Sequence, residues 1–162
     1  MKLQLLKINN KFWNVKEFDA TTQQIQPIQY TLEDVVCPFS MEQKYQDYII
    51  KIQITESIQE FIETLEANLL QEFKNKANIQ NVSIQTQIIR SRPPYPNLLQ
   101  TKIYKKKKNI QTVVFSESES VPTIYSIQKN IKSIVIFIDT LYYDEKKYKL
   151  YYKWKIRAVS LE

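Results

Sequence analysis

Near the end of the chain, Lys149, Tyr151, Lys153, Lys155 and Arg157 alternate with Tyr148, Leu150, Tyr152, Trp154, Ile156 and Ala158. A period of two puts successive side chains on opposite faces of a strand. One face can then pack into a core while the other presents four cations around a tyrosine. Such a face suits a nucleic-acid backbone, because phosphates attract the cations and exposed bases stack on the ring. A solvated strand whose lysines serve only solubility would show the same pattern, so this strand alone leaves both readings open.

Other stretches offer the same chemistry. Arg90, Arg92 and Tyr95 lie in RSRPPYPNL, where Pro93, Pro94 and Pro96 predict an extended, rigid path. In LLQTKIYKKKK, Lys102 and Tyr104 share a face with Gln100, opposite Leu99, Thr101 and Ile103. Lys105 to Lys108, Lys106 among them, form the cationic tip of a predicted hairpin, with Asn109 helping the turn. That tip is either a phosphate-contacting loop or a plain solvated turn. Phe39 follows Pro38 and is either a core plug or a base-stacking ring at the mouth of a groove. A groove lined by Arg90, Arg92, Tyr95, Lys102, Tyr104, Tyr151, Lys153, Lys155 and Arg157 would combine backbone charge with stacking rings. Sequence-indifferent single-strand binders use that combination, at about 1–3 kcal/mol per stacked base.

Composition narrows the alternatives. The chain has 162 residues, no histidine, no glycine and a single cysteine, Cys37. Average glycine usage of ~7% would supply roughly eleven. Every Gly-rich phosphate-cradling loop is thereby excluded, and zinc sites, Cys-His or Ser-His catalysis and disulfide frameworks lack their residues. No cofactor, no metal and no enzymatic activity are expected. No run of ~18 apolar residues is present, so no membrane span is expected. The apolar run in MKLQLLKINNKF is too short for a secretory signal. An intracellular protein, cytoplasmic or nuclear, is the expectation.

The charge is uneven. Residues 1–100 carry ten Lys/Arg against eleven Asp/Glu, and residues 101–162 carry thirteen against six, within an overall +6. A basic half on a neutral half points to a directed cationic face.

The elements that must position these residues are mostly strands. Residues 1–34 read as an N-terminal extension or first strands, with the polar Thr21 to Gln29 as a loop. Tyr48, Ile50, Ile52 and Ile54 alternate with Ile49, Lys51 and Gln53 as a half-buried strand. Residues 57–75 predict the one clear helix: Ser57 and Glu60 have capping-box spacing, and Ile58, Phe61, Ile62, Leu65, Leu69 and Phe73 form one apolar stripe. Glu56, Glu63, Glu66 and Glu72 are expected to face away from it or to lie near the N-terminal end. Val82, Ile84, Thr86 and Ile88 predict one strand. Residues 131–160 predict a C-terminal hairpin with a polar turn at Asp144 to Lys147.

Short alternating strands around one helix predict a single mostly β domain over 1–162, a small antiparallel barrel or sandwich. Among those, the oligonucleotide-binding (OB) fold, an antiparallel Greek-key barrel whose sheet face and loops hold single strands, is the expected one. The order of motifs resembles that of single-stranded-DNA-binding proteins of large cytoplasmic DNA viruses and cytoplasmic linear plasmids. The resemblance rests on CPFSMEQKYQDYIIKIQI, IQEFIETLEANLLQEF, RSRPPYPNLLQTKIYK and SIVIFIDTLYYDEKKYKLYYKWKIRAV, and covers roughly residues 35–160. Where that family usually has glycine after Pro-Phe and before the tryptophan, this chain has Ser40 and residues such as Tyr148 or Leu150. The resemblance implies a non-enzymatic protein that coats or protects single-stranded DNA during replication, with RNA as an alternative ligand. A second reading is an OB-like assembly subunit of a replication, telomere or organellar complex, acting through protein contacts or as a homo-oligomer.

Overall fold

A computed structural model describes residues 2–161. The protein is mostly β with a single α-helix, and its sheets are curled, a half-barrel among them, as in an OB-like β-barrel. In chain order the elements begin with β1 (Lys2–Lys7), β2 (Phe12–Asp19), β3 (Gln24–Gln26), β4 (Ile28–Val36), β5 (Glu42–Lys44) and β6 (Asp47–Gln53). Helix α1 (Glu56–Ala77) precedes β7 (Ser83–Ile84), β8 (Ile88–Ile89), β9 (Leu98–Ile103), β10 (Lys105–Lys106), β11 (Asn109–Ile110) and β12 (Val113–Phe115). A 3-10 turn at Ile124–Ser126 leads to β13 (Asn130–Ile138), β14 (Thr140–Asp144), β15 (Lys149–Tyr152) and β16 (Trp154–Ser160). The chain forms two compact units, each assembled from three separated stretches.

The first unit comprises Met1–Ile28, Glu56–Thr86 and Ile138–Lys153. Its sheet has the order β1-β2-β14-β15-β7, with β3 added beside β2. Leu3, Leu5, Trp13, Val15, Leu141, Tyr143, Leu150 and Tyr152 are buried at alternate strand positions, as a half-covered sheet requires. α1 supplies the cover: Ile62, Leu65, Leu69 and Phe73 are buried, and the Phe73 ring lies 5.5 Å from Trp13 and 5.1 Å from Tyr143. The apolar stripe is narrower than the sequence spacing predicts, because Phe61 is exposed. Glu66 takes a place on the buried side, where Tyr152 donates its hydroxyl to Glu66 Oε2 at 2.6 Å. A tyrosine in the facing strand makes a buried carboxylate tolerable there, which helix periodicity cannot reveal.

The second unit comprises Gln29–Thr55, Gln87–Phe137 and Trp154–Glu162. Its strands run β4-β13-β16-β9-β6-β5, with β8 pairing β9 and β12 pairing β16. β10 and β11 form a separate hairpin turning at Lys107 and Lys108. Most pairs are antiparallel, but β16 runs parallel to both β9 and β12. Ile50, Ile52, Leu99, Ile103, Trp154, Ile156 and Val159 form its core. Trp154 is 1% exposed and meets the Tyr30 ring edge-on at 6.0 Å. Two buried threonines satisfy strand carbonyls: Thr101 donates to Ile50 O at 2.7 Å and Thr112 to Ile156 O at 2.6 Å.

Five sequence expectations change. Tyr148 is in the turn, at φ 51° and exposed, rather than on the buried face of β15. The alternation of the last strand holds from Leu150 to Ile156 and then shifts: Val135 pairs Ala158 while Ile136 pairs Ile156, so Arg157 is an extra residue and Val159, not Ala158, is buried. A bulge of this kind inverts the faces beyond it. Residues 82–88 are not one strand, since β7 pairs β15 in the first unit and β8 pairs β9 in the second. The polar stretch from Thr21 contains β3 and the start of β4, and the Pro93–Pro96 region turns, with Tyr95 N–H donating to Arg92 O at 3.0 Å.

Candidate nucleic-acid interface

The two units differ in charge. The first contains ten Lys/Arg and ten Asp/Glu; the second contains thirteen against seven and so holds the whole excess of +6. Within the second unit the cations converge. On the face of the sheet opposite Leu99, Thr101 and Ile103, Lys102 of β9 stands in register with Lys155 of β16 and Ile49 of β6. Lys155 is in turn the partner of Phe137 on β13. The β10–β11 hairpin follows directly from β9 and adds Lys105, Lys107 and Lys108 to the same place.

These five lysines, with Gln43, Gln46 and Asp47, line an open pocket of about 430 Å³. Among the described residues Asp47 is the only carboxylate lining it, 3.7 Å from Lys102 Nζ. Lys105 donates to Gln46 O, which anchors the hairpin to the β5–β6 turn. Lys107 occupies the left-handed region at φ 59°, so the chain reverses between β10 and β11 without glycine, at some conformational cost.

Rings hold the cations. Lys105 Nζ lies 4.7 Å from the Tyr48 ring centre, and Lys155 Nζ lies 5.6 Å from that of Tyr104. The Arg157 guanidinium lies 4.0 Å over Phe137, and Tyr104 meets Phe137 edge-on at 4.9 Å. Each cation over a ring contributes about 0.5–1 kcal/mol at exposed sites. Arg157 Nε is buried without a hydrogen-bond partner, so its ring contact, rather than a bond at Nε, positions that side chain. Tyr104 N–H donates to Thr112 Oγ1 at 2.8 Å, which fixes the ring's backbone to the strand beyond. The result is a preorganised set of positive charges above aromatic faces.

A second open pocket, of about 450 Å³, contains Phe39 and Tyr125 among its walls. Both rings are exposed, so Phe39 is not a core plug. Tyr125 is hydrogen-bonded to Tyr48 through the two hydroxyls at 3.0 Å, and that bond, with some burial, pushes the Tyr125 hydroxyl above the usual tyrosine range.

Of the residues singled out from sequence, Lys102 and Lys155 line the basic pocket, while Tyr104 and Arg157 lie beside it through the ring contacts above. Phe39 is at the second pocket, joined to the first through Tyr125, Tyr48 and Lys105. Lys106 does not line the basic pocket, although its neighbours do. Arg90, Arg92 and Tyr95 are exposed in the β8–β9 connection and line neither pocket. Tyr151 is half-buried in the first unit, which also contains Lys153. Sequence reasoning missed Tyr48, Phe137 and Tyr125. Tyr48 and Phe137 sit in strands read as core, and Tyr125 lies in a segment without periodicity.

Among the described residues no cluster of His, Cys, Asp or Glu could hold a metal ion, and no helix is long and apolar enough to cross a membrane. No protein-family model matches the sequence, and no curated protein or solved structure matches it.

Proposed function

We propose that this chain binds single-stranded DNA without acting on it chemically, coating or protecting single strands during replication. The observation that carries this reading is the convergence of Lys102, Lys105, Lys107, Lys108 and Lys155 on one open pocket. Tyr48 and Tyr104 lie beneath two of those ammonium groups. Phosphates would replace the water around the lysines, and bases would stack on the neighbouring rings. The motif order that resembles viral and plasmid single-strand binders supports the same reading. Fluorescence anisotropy with a labelled oligonucleotide of about thirty nucleotides tests it across a salt series. Log affinity should fall with log salt, by about 0.7 for each phosphate contacted. A flat salt response, or equal affinity for any acidic polymer, overturns it.

A second reading, an assembly subunit acting through protein contacts, has its own observation. Among the described residues β12 pairs only with β16, and it exposes Val113 and Phe115, as a strand awaiting a partner does. Failure to bind any oligonucleotide, together with co-purification of a defined protein partner, would favour it.

A further inference from the structure

The first unit has an aromatic row that the basic pocket does not use. Phe12 of β2, Tyr142 of β14 and Tyr151 of β15 stand at one level on three neighbouring strands, Tyr142 being the register partner of both others. Ring centres are 5.2 Å apart from Phe12 to Tyr142 and 6.1 Å from Tyr142 to Tyr151. Strands ~4.8 Å apart make the row about 10 Å wide. It lies on the sheet face opposite α1, because Trp13, Tyr143 and Tyr152, which alternate with these rings, are the residues that meet the helix.

Charge separates the two sides of this sheet. All five glutamates of α1 are on the helix side or beyond it. By alternation, the ring face of β1, β2, β14 and β15 carries Lys2, Lys16 and Lys149 against Asp144 alone. Phe12, Lys2 and Lys16 are exposed, and Tyr142, Tyr151 and Lys149 are half-exposed. A sheet backed by a helix, with a row of rings and flanking cations on its open face, is the arrangement on which unpaired bases stack in sheet-based single-strand readers. From this face we infer a second contact surface for single-stranded nucleic acid: bases stack on Phe12, Tyr142 and Tyr151, and Lys16 and Lys149 meet the backbone. The inference rests on the single-strand reading above and extends it.

The test uses the whole chain. An oligonucleotide carrying 5-iodouracil is photocrosslinked to the wild-type protein and the attached peptides are mapped by mass spectrometry. Crosslinks at Phe12, Tyr142 or Tyr151 are expected; crosslinks confined to the second unit overturn the inference. In parallel, Tyr142→Leu with Tyr151→Leu, and separately Phe12→Leu, are titrated across the salt series and their melting and solution mass are recorded. The ring variants should bind roughly tenfold or more weakly at every salt concentration with the slope unchanged. Wild-type affinity in a variant that melts normally overturns the inference. A changed mass with unchanged affinity also overturns it, and assigns the face to a second copy of the chain. If replacing the pocket lysines abolishes binding while the ring variants bind normally, the second surface fails and single-strand binding stands. If the wild type binds no single strand, both fail.

Discussion

Lys102 and Lys155 are register partners on neighbouring parallel strands, two like charges side by side. Like charges directly opposite one another destabilise a sheet. Asp47 lies 3.7 Å from one and the Tyr104 ring 5.6 Å from the other, which offsets part of that cost. A pair maintained against its own repulsion fits an anionic ligand. Lys155→Gln should therefore melt at or slightly above the wild type, by up to about 0.5 kcal/mol, while the salt slope of oligonucleotide binding falls by about 0.7. Thermal melting and anisotropy on the same preparation check both. A lower melting temperature with unchanged binding would make the pair purely structural.

The hairpin separates two kinds of lysine. Lys105, Lys107 and Lys108 line the pocket and Lys106 does not. Lys106→Ser should leave affinity and stability unchanged. Lys105→Ser, Lys107→Asn and Lys108→Ser together should weaken binding evenly across sequences and reduce the salt slope. Asn is chosen at 107 because that backbone sits at φ 59°, which Asn tolerates. Equal effects from both variants would mean that net charge, not the pocket, governs binding.

The buried bond between Tyr152 and Glu66 links the sheet to the helix within the first unit. Tyr152→Phe keeps the ring and removes the donor, so unfolding in urea should show a loss of about 1–3 kcal/mol. Changing both residues, Tyr152→Phe with Glu66→Leu, should recover much of that loss, because no buried polar group is then left behind. An unchanged midpoint for Tyr152→Phe alone would show that the bond contributes nothing net.

Burial pushes the Cys37 thiol up to about 11, from 9.0 when unperturbed. The nucleophile is the thiolate, so iodoacetamide at pH 8 should label the native protein far more slowly than the protein in guanidinium. The raised value also links to stability. The folded state holds the proton more tightly, so this contribution is present in full below about pH 9 and lost as pH rises through about 11. Cys37→Ala should flatten that part of the alkaline decline in denaturant midpoint. Rapid native labelling would mean that the thiol is reached by reagent as if exposed.

Much of the secondary structure was legible along the chain. The 3.6-residue stripe of α1, the alternation of β9 and of Leu150 to Ile156, the lysine hairpin and the polar turn before β15 all follow from residues a few places apart. Backbone geometry imposes those periods locally, so a local reading finds them. The mostly β class with one helix follows from the same signals. The tertiary structure alone decided which polar side chains have partners and which cations meet. Glu66 is buried because a hydroxyl 86 positions away faces it. Lys102, Lys105 and Lys155 share a pocket because β9 and β16, over fifty residues apart in sequence, run side by side and parallel. Alternation groups Tyr151 and Lys153 with that site, yet they belong to the first unit, since the chain passes into the second at Trp154. Pairing between distant strands depends on the sum of many weak long-range contacts, and no local pattern records it.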